Sequence, residues 1–426
     1  MRKTAIKFFF RAIICLTVPV LLAGCSRREI HQASPLTQRG YLWQRDWTPS
    51  VVSAIQEAQR HMDGAVLLGA EIHWDGKIPE VIYPNINWEI LRNVRKPISI
   101  ALRVNPFSGP FSNHDIAAKT LVQTAISLLQ RASEHQVAIN EFQLDFDCAK
   151  SKLAGYRLWV EELRKAIHPL PLVITALPSW LDDAEFTPLV CAADGYVLQV
   201  HSVPTKEESG RSSLCDPMLA KKWVSKASRL GLPFSVSLPT YHAIAGYAPS
   251  GKLLGVIMDC IQQAWPPDTR ILDFTANPDE IANLVHEWQS NPPSGMKELL
   301  WYRIPVSTDQ ENWRWPTLLA VMQGRKPRHQ LSVALQGDNP IDIQLSNTGE
   351  AEETTDSSMI ATWETGTLVA SDALGGWNLD TGKNQATFIP VTEAMRKLCP
   401  GEMVDAGWLR FDRITQLQVH VSKPIK

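Results

Sequence analysis

The 426-residue chain carries only seven cysteines, no Cys-x-x-Cys pair, and no long apolar run beyond its first 24 residues. Each absence removes a class of protein. A thiolate zinc site or a disulfide framework needs clustered or regularly spaced cysteines. Once Cys15 and Cys25 are set aside at the N-terminus, Cys148, Cys191, Cys215, Cys260 and Cys399 remain, an odd and scattered set. A membrane-spanning helix needs about 20 consecutive apolar residues. No glycine-rich phosphate loop follows the early strand-like segments, and no Gly-x-Ser-x-Gly elbow appears, so neither a nucleotide cofactor nor a serine nucleophile is indicated and no cofactor is expected. Basic and acidic residues nearly cancel, at 42 against 44. Without a basic patch, nucleic acid is not an expected partner. The acidity belongs to the tail: from residue 329 on there are 7 basic and 13 acidic residues, whereas 25–328 holds 31 of each. A neutral main portion gives no reason to expect a highly charged polymer as ligand.

What is present starts with an export signal. Arg2, Lys3, Lys7 and Arg11 flank and enter an apolar stretch that ends in Leu22-Ala23-Gly24-Cys25. This is a charged region, an apolar region and a small-residue cleavage site, too short and wrongly flanked for a stable span. The last four residues resemble the bacterial lipobox. That resemblance implies a lipidated, palmitate-bearing Cys25 at the mature N-terminus. With Ser26 rather than Asp following, it also implies passage to the outer membrane of the cell envelope, facing the periplasm. The expected organisation is a signal peptide (1–24), a polar tether (25–39), a main domain (40–328) and a smaller domain (329–426).

Eight strand candidates fall at 41–43, 65–73, 97–104, 141–147, 172–177, 194–201, 233–239 and 299–304. Helical periodicity follows most of them, near 49–61, 114–135, 152–168, 183–191, 216–230, 250–264 and 278–289. Eight strand–helix repeats over roughly 265 residues have the size and rhythm of a closed (β/α)₈, TIM-type barrel. A doubly wound open sheet is the competing α/β arrangement. From 329 the pattern changes to short alternating runs separated by Gly, Asn and Asp turns, which predicts a small C-terminal β-sandwich without chemical residues of its own.

The main domain is organised around Glu141-Phe142-Gln143-Leu144-Asp145-Phe146-Asp147. Strand geometry puts Phe142, Leu144 and Phe146 on one face and Gln143, Asp145 and Asp147 on the other. In a barrel the apolar face meets the helices and the acids point into the mouth, where barrel enzymes keep their active sites. Two carboxylates so close repel, so one should hold its proton unusually well unless a cation sits between them. The alternative is a buried polar layer in which both acids pair with an arginine. Taking the last inward residue of each strand, the mouth should gather Trp43, Arg45, Glu71, His73, Arg103, Asp145, Asp147, Trp180, Gln199, His201, Tyr241, Trp301 and Arg303. Acids, amides and flat rings suit a sugar, whose hydroxyls want polar partners and whose ring faces want an aromatic surface. Glycoside hydrolysis requires two carboxylates. Asp145, Asp147 and Glu71 are the candidates for catalysis, the alternative for Glu71 being an ion pair with Arg103 on the adjacent strand. Trp43, Arg103, Trp180, Gln199, His201, Tyr241, Trp301 and Arg303 are the candidates for substrate binding. The histidines and acids come from different strands with no local ligand spacing, so no metal is expected.

The acid pair resembles part of the Asp-x-x-Asp-x-Asp-x-Glu signature of chitinase-type glycoside hydrolases. Asp145 and Asp147 fall on two of its acids, but Phe142 and Ala149 stand in place of the first Asp and of the Glu that serves that family as general acid. Leu198-Gln199-Val200-His201 resembles the family's Met-x-Tyr-Asp segment, with Gln199 and His201 in the Met and Tyr places, and Trp301 resembles the tryptophan that floors its sugar site. The chain is also similar, over roughly 40–325, to an uncharacterised family of bacterial lipoproteins known as a domain of unknown function. The shared segments are Tyr41-Leu42-Trp43-Gln44-Arg45, Gln143-Leu144-Asp145-Phe146-Asp147, Thr175-Ala176-Leu177-Pro178-Ser179-Trp180, Leu198-Gln199-Val200-His201 and Trp301-Tyr302-Arg303-Ile304-Pro305. Together these likenesses imply an envelope lipoprotein whose barrel binds or hydrolyses a glycan, or one that has lost its chemistry and acts as a binding or assembly factor.

Overall fold

The computed structural model describes residues 36–74, 78–112, 115–204, 206–207, 213–258 and 264–422. The signal peptide, Cys25, most of the tether and Cys260 lie outside these residues. Pro35–Lys426 forms one compact unit.

Among the described residues, twelve strands and eight helices build the main portion. In chain order they are β1 (Thr37–Leu42), α1 (Pro49–His61), β2 (Gly64–Trp74), β3 (Pro79–Ile82), α2 (Trp88–Arg92), β4 (Ile98–Val104), α3 (Ile116–Glu134), β5 (Ile139–Phe146) and α4 (Leu153–Ile167). There follow β6 (Leu172–Ala176), α5 (Phe186–Ala192), β7 (Gly195–Gln199), α6 (Pro217–Arg229), β8 (Phe234–Pro239), β9 (Ala243–Tyr247), β10 (Leu253–Ile257), β11 (Arg270–Phe274), α7 (Pro278–Ser290), β12 (Met296–Tyr302) and α8 (Trp315–Met322). The order β1-β12-β8-β7-β6-β5-β4-β2, closed by pairing of β1 with β2, is an eight-stranded parallel barrel. The eight predicted barrel strands are these eight. The antiparallel β3 adds to the edge of β2 beyond the barrel wall.

One correction falls between β8 and α7. The helix expected over 250–264 is not there: β9, β10 and β11 form an inserted three-stranded antiparallel sheet with β9 in the centre. Val256 and Ile257 are β-branched and suit a pleated surface. Gly246 in β9 lets the Trp265 ring lie against the strand, since a Cβ there would come within 2.3 Å of it. The sheet has its own small core of Ala243, Ala245, Tyr247 and Phe274.

The helices pack on the outer face of the barrel because the outward positions of each strand are apolar. On β5, Phe142, Leu144 and Phe146 join Tyr156, Trp159 and Leu163 of α4 in the main core. Helix ends are fixed by side-chain caps, such as Asp115 on Ala118 N and Asp216 on Met218 N and Leu219 N. The barrel interior is layered. At the base, where β1 enters, the Arg39 guanidinium binds both oxygens of Glu298 (2.7 and 2.6 Å), Glu141 (3.0 Å) and Ser99 Oγ (2.6 Å). Above it Tyr41 donates to Gln143 Oε1 at 2.8 Å, among Val66, Ala101, Val197 and Leu300. The top layer is the mouth.

Residues 331–422 form a sandwich of two four-stranded antiparallel sheets closed over a separate core that includes Ile343, Met359, Phe388 and Leu409. Polar contacts join it to the barrel: Arg325 binds Glu350 through both carboxylate oxygens, and Arg314 reaches Glu402 at 3.3 Å.

Candidate functional site at the barrel mouth

The register of the parallel strands sets Glu71 of β2 beside Arg103 of β4, and Arg103 beside Asp145 of β5. Three charged residues therefore form one row across adjacent strands. Asp145 is 4% exposed and accepts from Arg103 Nη1 at 2.6 Å, Thr175 Oγ1 at 2.8 Å and Gln199 Nε2 at 3.4 Å. Its carboxylate is held rigidly. Asp147 sits just past the end of β5 with its side chain 45% exposed, 3.8 Å from the Arg103 guanidinium. Partial loss of hydration, followed by the charge of Asp145, pushes its pKa up to about 6 against the pull of Arg103. Asp145 in turn holds Arg103 firmly protonated. Arg103 lies beside both acids, and Asp147 nonetheless holds its proton more tightly than an ordinary aspartate, as expected of one member of the pair.

Glu71 does not pair with Arg103. It is buried, and its Oε2 meets the guanidinium of Arg45 and, at 3.2 Å, the Nε2 of His73.

The opposite wall is aromatic. The Trp43, Tyr41 and Tyr302 rings contact one another with centroids 5.5 to 5.7 Å apart, and Tyr241 and His201 continue the wall around Tyr302 at 5.5 and 5.9 Å. His201 has Ser237 Oγ at 3.2 Å and Tyr241 Oη at 3.3 Å on its two nitrogens. Burial drives its pKa down to about 4, so it is a neutral hydrogen-bonding ring at neutral pH.

Of the predicted site residues, Trp43, Arg103, Asp145, Asp147, Gln199, His201 and Tyr241 converge on the mouth, and Glu71 with Arg45 and His73 stands at its edge. Two tryptophans do not. Trp301 is 0% exposed in the core between barrel and helices, its indole donating to Gln38 Oε1 at 3.0 Å. Trp180 is likewise fully buried against Tyr156 and Phe186, donating to Cys148 O at 3.1 Å. Arg303 is buried beside Asp309 at 3.2 Å. The inward phase of β12 carries Leu300 and Tyr302, which places Trp301 on the outward one. Tyr302, Thr175 and Ser237 are the mouth residues that the sequence reading omitted. Strand alternation from Leu300 would have found Tyr302; nothing local marks Thr175 or Ser237. Among the described residues no cluster of three His, Cys, Asp or Glu side chains is placed to hold a metal ion, and no disulfide joins Cys148, Cys191, Cys215 or Cys399.

A closed eight-stranded parallel barrel with outer helices, carrying its polar cluster at the carboxyl ends of the strands, defines a TIM-type α/β barrel protein. The chain belongs to the family described as Domain of unknown function (DUF3142), whose profile matches residues 95–307. No curated protein matches it in sequence. Among solved structures it is similar to a chitinase from Chromobacterium violaceum at 13% identity and TM-score 0.47, covering 68% of this chain and 98% of that one. It is also similar to the spore cortex-lytic enzyme SleL of Bacillus cereus at 11% identity and TM-score 0.48, covering 68% and 74%. The chitinase ChiA74 from Bacillus thuringiensis is similar at 9% identity and TM-score 0.46, covering 91% and 100%. At that distance the chemistry of this mouth rests on its own residues.

Proposed function

We propose that the barrel mouth binds a glycan, and that binding rather than hydrolysis is its work. The observation that carries this reading is the opposition of two walls: the Arg103, Asp147 and Gln199 side offers charged and amide partners for hydroxyls, and the Trp43 and Tyr302 side offers partly exposed aromatic rings. Hydrolysis needs a proton donor and a second available carboxylate. Asp147, with its pKa near 6, suits the first role. The second is unfilled: Asp145 is occupied by three donors, Glu71 is held by Arg45 and His73, and Ala149 stands where the chitinase-type acid would be.

The test is a glycan array read beside release of reducing ends from the same glycans. The expected result is retention of one glycan class without turnover, with Trp43→Ala and Asp147→Asn each weakening it about tenfold, the scale of one lost stacking or charge-assisted contact. Retention unchanged in both variants would overturn the site, and turnover would overturn the binding-only reading.

We further propose that a lipid on Cys25 holds the protein at the bacterial outer membrane on its periplasmic side. The lipobox-like Leu22-Ala23-Gly24-Cys25 supports this, and no helix among the described residues is long and apolar enough to cross a membrane. Cys25→Ala should release the folded protein from the membrane fraction or leave it unprocessed; a variant with an unaltered, mature, membrane-bound form would refute the anchor.

A further inference from the structure

The main portion holds basic and acidic residues in equal number, and that balance conceals an uneven distribution. At the base of the barrel, where the parallel strands begin, the α2–β4 connection reads Arg92-Asn93-Val94-Arg95-Lys96-Pro97. It borders a hollow of about 270 Å³ whose other side is the α3–β5 connection, with Gln136 and Asn140. Arg92, Arg95 and Lys96 stand around this hollow, and no acid among the described residues lines it. All three are exposed, and none is held in an ion pair among the described residues.

A cation in the last turn of a helix is favoured by the helix macrodipole, which is reason enough for Arg92 on α2 and Arg229 on α6. Arg95 and Lys96 lie beyond α2, and the exposed Lys297 lies in β12, so the dipole gives no account of them. Several acids of this end are already engaged. Glu141 and Glu298 turn inward to Arg39, and Asp194 binds Arg164. Asp63, Glu89 and Glu134 are the exposed acids left there without an ion pair among the described residues, against five such cations: Arg92, Arg95, Lys96, Arg229 and Lys297.

The cations are spread around the base. In the closed sheet β8 stands four strands from β4 in either direction, so Arg229, just before β8, lies across the barrel from the α2–β4 connection. Charges on both sides of a ring suit a plane of anions better than one small anion. Where the chain leaves says which plane. Residues before 36 join the barrel at this same end, and the ten residues 26–35 reach roughly 35 Å at full extension. With the anchor proposed at Cys25, the base is therefore within reach of a bilayer.

We propose that the base of the barrel rests on an anionic lipid surface, with lipid phosphates against Arg92, Arg95 and Lys96. This deepens the anchor reading and takes its orientation from it: the lipid on Cys25 holds the protein, and the cations set the base, not the mouth, against the bilayer. Each basic side chain near such a surface strengthens binding about fivefold, and salt screens the effect. The contact orients the barrel and is too weak to replace the anchor.

Sedimentation of the unlipidated chain 26–426 with vesicles tests the contact apart from the anchor, since that chain keeps the whole compact unit Pro35–Lys426. Phosphatidylcholine vesicles with about 30% phosphatidylglycerol should bind it at least about tenfold more tightly than phosphatidylcholine alone at about 50 mM salt, and about 300 mM salt should remove the difference. Arg92→Gln, Arg95→Gln and Lys96→Gln together should weaken the anionic binding at least about tenfold. The same loss of charge on the sandwich, at the exposed Lys383, Arg396 and Arg410, should change it less than about twofold, with melting temperatures as the check on folding. No binding to anionic vesicles, equal binding to both kinds, an undiminished triple variant or an equal loss in the sandwich variant would overturn the proposal. Displacement by inorganic phosphate at constant ionic strength would assign the hollow to a free anion, and binding of polyphosphate in place of vesicles would assign it to a polymer, with the same effect. Failure here leaves the anchor to the Cys25→Ala fractionation, and failure of the anchor leaves the vesicle result standing.

Discussion

At the scale of single residues, two acids of the same type and strand face have opposite energetic roles. Asp145→Asn removes one partner of a buried charge pair and leaves Arg103 with half its neutralisation. We expect this to cost about 3 kcal/mol, toward the low end for a broken buried pair because Arg103 is partly exposed. Asp147→Asn should do the reverse. A carboxyl group whose pKa is raised in the folded state adds stability below its unfolded pKa and loses it as the pH climbs through about 6. The asparagine variant should therefore melt higher than the parent at pH 8, with the difference fading by about pH 4. His201 titrates in the other sense: its folded pKa near 4 lies below the usual value, so its contribution is present above about pH 6.5 and is lost on acidification. His201→Gln should flatten the acid limb of a stability profile between those limits. Melts of the three variants across pH 4–8 check all of this. The chemical face of the 141–147 segment was legible because its alternation is strict. The division of labour between its acids was not, because it depends on Arg103, Thr175 and Gln199, which arrive from three other strands.

At the scale of elements, strands were easier to place than their phases. Every barrel strand is visible as an apolar run, but a strand buried on both faces lacks the polar alternation that says which side is inward. β12 is such a strand, and that is why Trp301 and Tyr302 exchange the roles that the residue types alone suggest. The segment 250–264 misled for a related reason: a short apolar run such as Leu253-Leu254-Gly255-Val256-Ile257 fits a strand or a buried helix, and only its partners β9 and β11 decide. Helix starts were better specified. Asn277 caps α7 by accepting from Asp279 N and Glu280 N, so Asn277→Ala should cost about 1 kcal/mol by chemical denaturation, with the slope of the transition unchanged.

At the scale of the whole molecule, barrel and sandwich have separate hydrophobic cores and meet through polar contacts such as Arg325–Glu350 and Arg314–Glu402. Residues 36–328 should fold alone, with a single cooperative melt and resistance to limited proteolysis. A truncated barrel that aggregates or melts without cooperativity would show that the sandwich completes the fold. The two ends of the barrel differ. Arg39 and its carboxylate partners stop the base, and β1 enters through that base, so whatever precedes residue 36 joins the barrel at the end opposite the mouth. Under the anchor proposed at Cys25, the point of attachment would lie on the base side of the barrel and the mouth on the other. A glycan bound at the mouth, as proposed, would then enter from the side away from that attachment.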